Sequence, residues 1–130
     1  MGCEPAAQPI EYGADECDFC RMTIVDNRHA AEVVTLKGKA FKFDAIECMV
    51  HYVHHHHDTE YAMYLVNDYL APGELIDAQD STYLISPNIP SPMGAFLSAL
   101  SEEQKAAKLQ AEKEGNIFSW EALNQHMKRN

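Results

Sequence analysis

Lys39-Ala-Phe-Lys-Phe43, continued by Asp44-Ala-Ile-Glu-Cys-Met-Val-His-Tyr-Val53, is the stretch on which the fold turns. Phe41 and Phe43 alternate with smaller or charged residues, the period of a half-buried strand. Asp44 with Glu47 three residues on has the spacing of a helix capping box. Ile46, Met49, Val50 and Val53 then fall at i, i+3, i+4 and i+7, the buried stripe of an amphipathic helix. Upstream, Ala30 to Leu36 reads as a strand joined to Lys39–Phe43 through Lys37-Gly38. Downstream, Asp58-Thr59 ends the helix and Tyr61 to Val66 is another strand. The order is β-β-α-β.

The second half follows the same plan. Thr82 to Ile85 is a strand, residues 86 to 92 a proline-rich loop, and Ala95 to Leu100 a strand leading into Ser101-Glu-Glu-Gln104, a second capping-box spacing. Gly115 closes the helix, Asn116 to Phe118 is a strand, and Ser119 caps a last helix from Trp120 to about Lys128. The pattern predicts an α+β fold: two β-β-α-β units packed side by side in one small domain. Residues 1–16 read as a flexible arm, 17–130 as the domain, with units at 17–68 and 75–118 and a terminal helix at 119–130.

With 130 residues the chain suits one domain, long enough to fold without a staple. Twenty acidic against ten basic residues give a net charge of -10, which argues against a nucleic-acid surface and suits a protein that handles cations. The apolar runs, such as Met63 to Val66, fall far short of the roughly 20 residues of a spanning helix. Met1-Gly-Cys-Glu-Pro lacks both the charged start and the apolar stretch of a signal peptide. Gly2-Cys3 before a Pro-containing polar arm nonetheless looks like the pair at which a bacterial lipoprotein is cut and acylated. On that reading Cys3 is a membrane tether and Met1 stands in place of the leader. A chance Gly-Cys pair is the alternative, and Ala6 disfavours myristoylation.

The chemistry lies in Cys17-Asp-Phe-Cys20-Arg-Met22, two thiols and a thioether within six residues. Such sulfurs select Cu(I) and other soft ions. Zinc draws on Cys, His and carboxylate and gains little from Met22. Met22 to Val25 is rich in β-branched residues and reads as a strand, which would turn Cys20 and Met22 to one face. Cys17 either folds back as a ligand or pairs with Cys20 in a disulfide; on the second reading Met22 is a core residue.

Cys48, His51 and His55 share a helical face roughly opposite the apolar stripe, and Cys48 stands in the first turn, where the helix dipole favours a thiolate. It is a third sulfur or an inert small hydrophobe. His54, His55, His56 and His57 sit at the expected helix end, where imidazoles cap carbonyls or, with His51, bind a second, divalent ion such as Zn²⁺ or Cu²⁺. Met93, between Pro92 and Gly94, is either a core residue or a thioether presented by a stiff turn.

The succession Cys-x-x-Cys-x-Met, Phe43-Asp-Ala-Ile-Glu-Cys-Met49, Val66-Asn-Asp68, Ile76-Asp-Ala78 and Ser91-Pro-Met-Gly94 resembles the NosL family of copper chaperones, accessory lipoproteins of nitrous oxide reductase maturation. The resemblance covers nearly all of residues 17 to 123. It implies Cu(I) binding at Cys20, Met22 and Met93, lipidation of Cys3, a periplasmic, lipid-anchored location, and delivery to a copper-receiving protein or membrane assembly complex. The histidine run His54–His57 is not part of the family pattern. No oriented general base, nucleophile or phosphate-binding glycine loop is visible, so the chain reads as a non-enzyme. Two alternatives remain. A zinc-stabilised interaction domain would use Cys17, Cys20, Cys48 and a His; a thiol oxidoreductase would use Cys17 and Cys20 but wants a helix directly after them.

Overall fold

The computed structural model describes residues 4–128. Among these residues seven strands and three helices follow one another: β1 (Ala31–Thr35), β2 (Ala40–Phe43), α1 (Ile46–His55), β3 (Tyr61–Asp68), β4 (Ala71–Asp77), β5 (Thr82–Ile85), β6 (Leu97–Leu100), α2 (Glu103–Lys113), β7 (Asn116–Phe118) and α3 (Trp120–Lys128). They build a four-stranded antiparallel sheet, β2-β1-β3-β4, and a three-stranded one, β6-β5-β7. In each unit the first strand is central, flanked by its hairpin partner and by the strand that follows the helix. The α+β fold with two β-β-α-β units is therefore present. β4 is an added edge strand of the first sheet, pairing Val66 with Ile76, so position 75 lies inside that sheet rather than at the start of the second unit.

Alternation along β5 explains how the halves share a core. Tyr83 points into the main hydrophobic cluster with Val33, Phe43, Ile46, Met49, Val66 and Leu123. Leu84 points the other way, into a smaller cluster with Leu100, Ala106 and Leu109 under α2. The second sheet is thus covered by the first unit on one face and by its own helix on the other. Gly115 has φ +109°, and a Cβ there would run into the Ile85 carbonyl oxygen, so the turn from α2 into β7 demands glycine.

Three expectations give way to longer-range bonds. The helix N-caps are Ala45 and Glu102, neither with a side-chain cap bond. Both capping boxes are absent: Asp44 receives the thiols of Cys20 and Cys48 rather than a backbone N–H of the first turn, and Glu47 reaches the Ala95 N–H. Ser119 does cap, its Oγ accepting the Ala122 N–H at 3.1 Å. Met22 to Val25 is not a strand, since the only pairing there is an isolated bridge between Glu16 and Thr23. The segment after residue 7 is not a free arm either. Gln8 N–H donates to Glu32 Oε2 at 2.7 Å, Lys42 Nζ donates to Pro9 O at 2.8 Å, and Gly13 N–H donates to Ile24 O at 2.7 Å. Ile10 is buried in the core, a burial that stabilises by roughly 2 kcal/mol and offsets the entropy of fixing a residue or two. Cys3 lies outside the described residues.

Candidate metal centre

Cys17 and Cys20 stand on a tight turn that the sequence closes onto itself. Cys17 N–H donates to Met22 O at 2.8 Å and Arg21 N–H to Cys17 O at 3.0 Å, with Arg21 at φ +70°. The turn is pinned to β2 by two bonds, Asp18 N–H to Lys42 O at 2.7 Å and Lys42 N–H to Asp18 Oδ2 at 2.8 Å. That docking carries both cysteines to the β2–α1 junction, where Asp44 and Cys48 wait. One ligand atom from each of Cys17, Cys20, Asp44 and Cys48 lies within 4.8 Å of all the others. Ligand atoms about 2.3 Å from a tetrahedral ion sit roughly 3.8 Å apart, so a small contraction closes the set around one ion. Among the described residues no other group of three or more His, Cys, Asp or Glu converges in this way. All three thiols are free, which removes the Cys17–Cys20 disulfide reading.

The electrostatics divide the three sulfurs. Cys17 is held down to about 6, first because the Cys48 thiol donates to it, and further by N–H groups of Cys20, Asp44 and Phe19, against the cost of burial. Phe19 and Cys20 N–H each lie 3.4 Å from its sulfur. Cys20 is pushed up to about 11 by burial, by the Asp44 carboxylate and by Cys17. Its Sγ donates to Asp44 Oδ1 at 3.2 Å. Cys48 is pushed up as donor to Cys17 and by burial, and its one proton also reaches Asp44 Oδ1 at 3.5 Å. At neutral pH the centre is one thiolate shared with two thiols beside a carboxylate. A soft cation that displaces the two remaining protons gains three thiolates at once.

Cys48 is buried in the core rather than standing opposite the apolar stripe with His51 and His55. Met22, with its strand gone, loses the same-face argument and is 60% exposed. Its backbone carbonyl, which receives Cys17 N–H, still holds it at the rim of the centre. Met93, 45% exposed, lies two residues before Ala95, whose N–H donates to Glu47 Oε2 at 3.1 Å. That bond ties the Met93 turn to the first turn of α1, the turn that carries Cys48. The histidine run does not gather into one group. His55 and His56 donate Nδ1–H to the carbonyls of His51 and Tyr52 at 2.7 and 2.9 Å, and His54 Nε2 faces Asn124 Oδ1 at 3.0 Å.

Asp44 is the site residue that sequence reasoning missed. Its spacing of four from Cys48 puts both on one side of the helix start, but the same position also satisfied the capping-box pattern and was absorbed by it.

Fold and site together define a small α+β domain that carries a preformed three-thiol, one-carboxylate centre suited to a soft metal ion. The sequence model of the NosL family matches residues 9–128, and the chain belongs to that family. Its fold is similar to that of the copper chaperone NosL from Shewanella denitrificans, with a TM-score of 0.78 at 17% identity over 92% of this chain and 96% of that one. No curated protein sequence matches the chain.

Proposed function

We propose that this protein binds Cu(I) at the Cys17–Cys20–Asp44–Cys48 centre and delivers it, outside the cytoplasm, to a metalloenzyme or its assembly machinery. The observation that carries this is the convergence of three free thiols and a carboxylate within 4.8 Å. Membership of the NosL family and the likeness to a copper chaperone support it. Nitrous oxide reductase is the recipient that the family resemblance favours, and Cys3 is the candidate lipid tether.

A carrier has to hold Cu(I) away from water and still let it go. Cys17 and Cys48 are buried, whereas Cys20 is half-buried at the mouth. Met22, two residues on from Cys20, and Met93 are both exposed. A recipient ligand can therefore attack at the Cys20 side while the inner sulfurs still hold the ion, so no free Cu(I) is released. The acidic chain favours encounter with a basic docking face.

Asp44 also favours a second reading, since a carboxylate is a good zinc ligand and three thiolates plus Asp44 would close a structural tetrahedral site. Competition under reducing, oxygen-free conditions separates the two. With a Cu(I) chelator as competitor the protein is expected to take one Cu(I), to prefer it to Zn²⁺, and to lose most of that affinity on Cys20→Ser. Tighter binding of Zn²⁺, or a Cu(I) affinity indifferent to Cys20→Ser, overturns the copper reading.

A further inference from the structure

Helix α1 presents its histidines in three directions. His54 Nε2 faces Asn124 of α3, and His56 lies stacked on Tyr52 with centroids 4.1 Å apart while its Nδ1–H caps the Tyr52 carbonyl. His51 and His55, four residues apart, occupy a common face. There the ring of Phe19 covers both imidazoles, with centroids 5.8 Å from His51 and 5.9 Å from His55 and interplanar angles of 27° and 39°. Stacking occupies ring faces and leaves ring edges, where the nitrogens are, open.

The tautomer of one ring is set by the backbone. His55 Nδ1–H donates to His51 O at 2.7 Å, so Nε2 carries the lone pair. Donation from the second nitrogen to a carbonyl is the usual support of a metal-binding histidine, because it orients the ring and raises its basicity. Neither ring nitrogen of His51 has a hydrogen-bond partner among the described residues. Burial, with His54 and His55 nearby, lowers its pKa and keeps it neutral in neutral solution.

We propose that His51 and His55 form a second metal site on the outer face of α1, taking a divalent transition ion such as Zn²⁺ through His55 Nε2 and a ring nitrogen of His51. Imidazole suits Zn²⁺ and Cu²⁺, whereas the thiol centre suits softer ions, so the two sites select by ligand chemistry. Water completes the coordination, which makes this the weaker and more exchangeable site. Phe19 lies between the two: its ring rests on the histidine pair and its backbone N–H points at the Cys17 sulfur, 3.4 Å away. An ion on the pair therefore clamps the outer side of the turn that bears both cysteines. The four-histidine run contributes one member, His55, and not a cluster. The site stands whichever ion the thiols take.

The test loads the thiol centre with Cu(I), then adds Zn²⁺ alone while long-range ¹H–¹⁵N spectra of the imidazoles are recorded. The expected result is that His51 and His55 nitrogens shift together and saturate at one Zn²⁺ per chain. His51→Gln or His55→Gln should each lower the Zn²⁺ affinity by more than about tenfold, at least what loss of an outer-shell partner costs. His56→Gln should leave it unchanged. His55 is exposed and His51 half-buried under Phe19, so unchanged chemical shifts in the core verify that each variant folds as the parent does. Shifts centred on His54 and His57, or an affinity unaltered in both His51→Gln and His55→Gln, overturn the proposal. So does Zn²⁺ binding that shifts no imidazole and displaces Cu(I) from the thiols.

Discussion

A single carboxylate oxygen, Asp44 Oδ1, receives the thiols of Cys20 and Cys48; burial keeps the first protonated and donation to Cys17 the second, next to a sulfur that is not. Cys17 is that sulfur, with a pKa held down to about 6 against about 11 for Cys20. The reduced, metal-free protein should therefore show the ultraviolet absorbance of one thiolate developing near pH 6, removed by Cys17→Ser, whereas an unperturbed thiol would ionise near pH 8.5. A spectrum with no thiolate below about pH 8 would contradict the arrangement. Linkage gives the sign for stability. Cys17 holds its folded pKa below that of the open chain, so its contribution is lost as pH falls through about 6. The sulfur types and their spacing were legible in the sequence because softness is a property of the side chain alone. The fourth member was not, because an aspartate before a helix has a local use that conceals a distant one.

Among the elements, those set by alternation or by chain breakers were legible: β5 and β7 fall at Thr82–Ile85 and Asn116–Phe118, and α3 opens after Ser119, as their patterns indicate. What failed was anything that assumed a polar side chain bonds its nearest backbone. Glu47, in the first turn of α1, reaches instead to the Ala95 N–H with Oε2, while its Oε1 is buried without a partner among the described residues. Burial raises its pKa, with smaller effects from the backbone and from His29 and Asp44. The open chain gives up this proton at a lower pH than the folded one does, so stability falls as pH rises through that interval. Glu47→Gln keeps an oxygen for Ala95 and has no charge to bury. Its melting temperature should exceed the parent's at pH 7, and the difference should vanish below about pH 4. A variant that is less stable than the parent at both pH values would show that the carboxylate charge contributes rather than costs. Met22 to Val25 failed for a related reason: β-branched residues suit a strand only where a neighbour offers a ladder, and Ile24 N–H finds a single partner, Asp15 O.

At the scale of the whole molecule, two units of like topology meet at a core that Tyr83, Leu97 and Leu123 share with α1, and the metal centre lies on the first-unit side of that seam. The repeat was legible because strand-helix-strand order survives without residue identity; the docking of residues 8–16 was not, because it rests on contacts such as Gln8 with Glu32, 24 positions away. Met93 belongs to the second unit, and the Ala95–Glu47 bond holds its turn against the first. If its thioether completes the centre, copper ties the two units together. Met93→Leu conserves volume at a half-exposed position and should cost the metal-free protein less than about 1.5 kcal/mol. X-ray absorption at the copper edge, on Cu(I)-loaded parent and Met93→Leu proteins, tests the account most directly. The prediction is a first shell dominated by sulfur in both, with one sulfur fewer in Met93→Leu if its thioether joins Cys17, Cys20 and Cys48 on the ion; a shell of nitrogen or oxygen in the parent protein would contradict it.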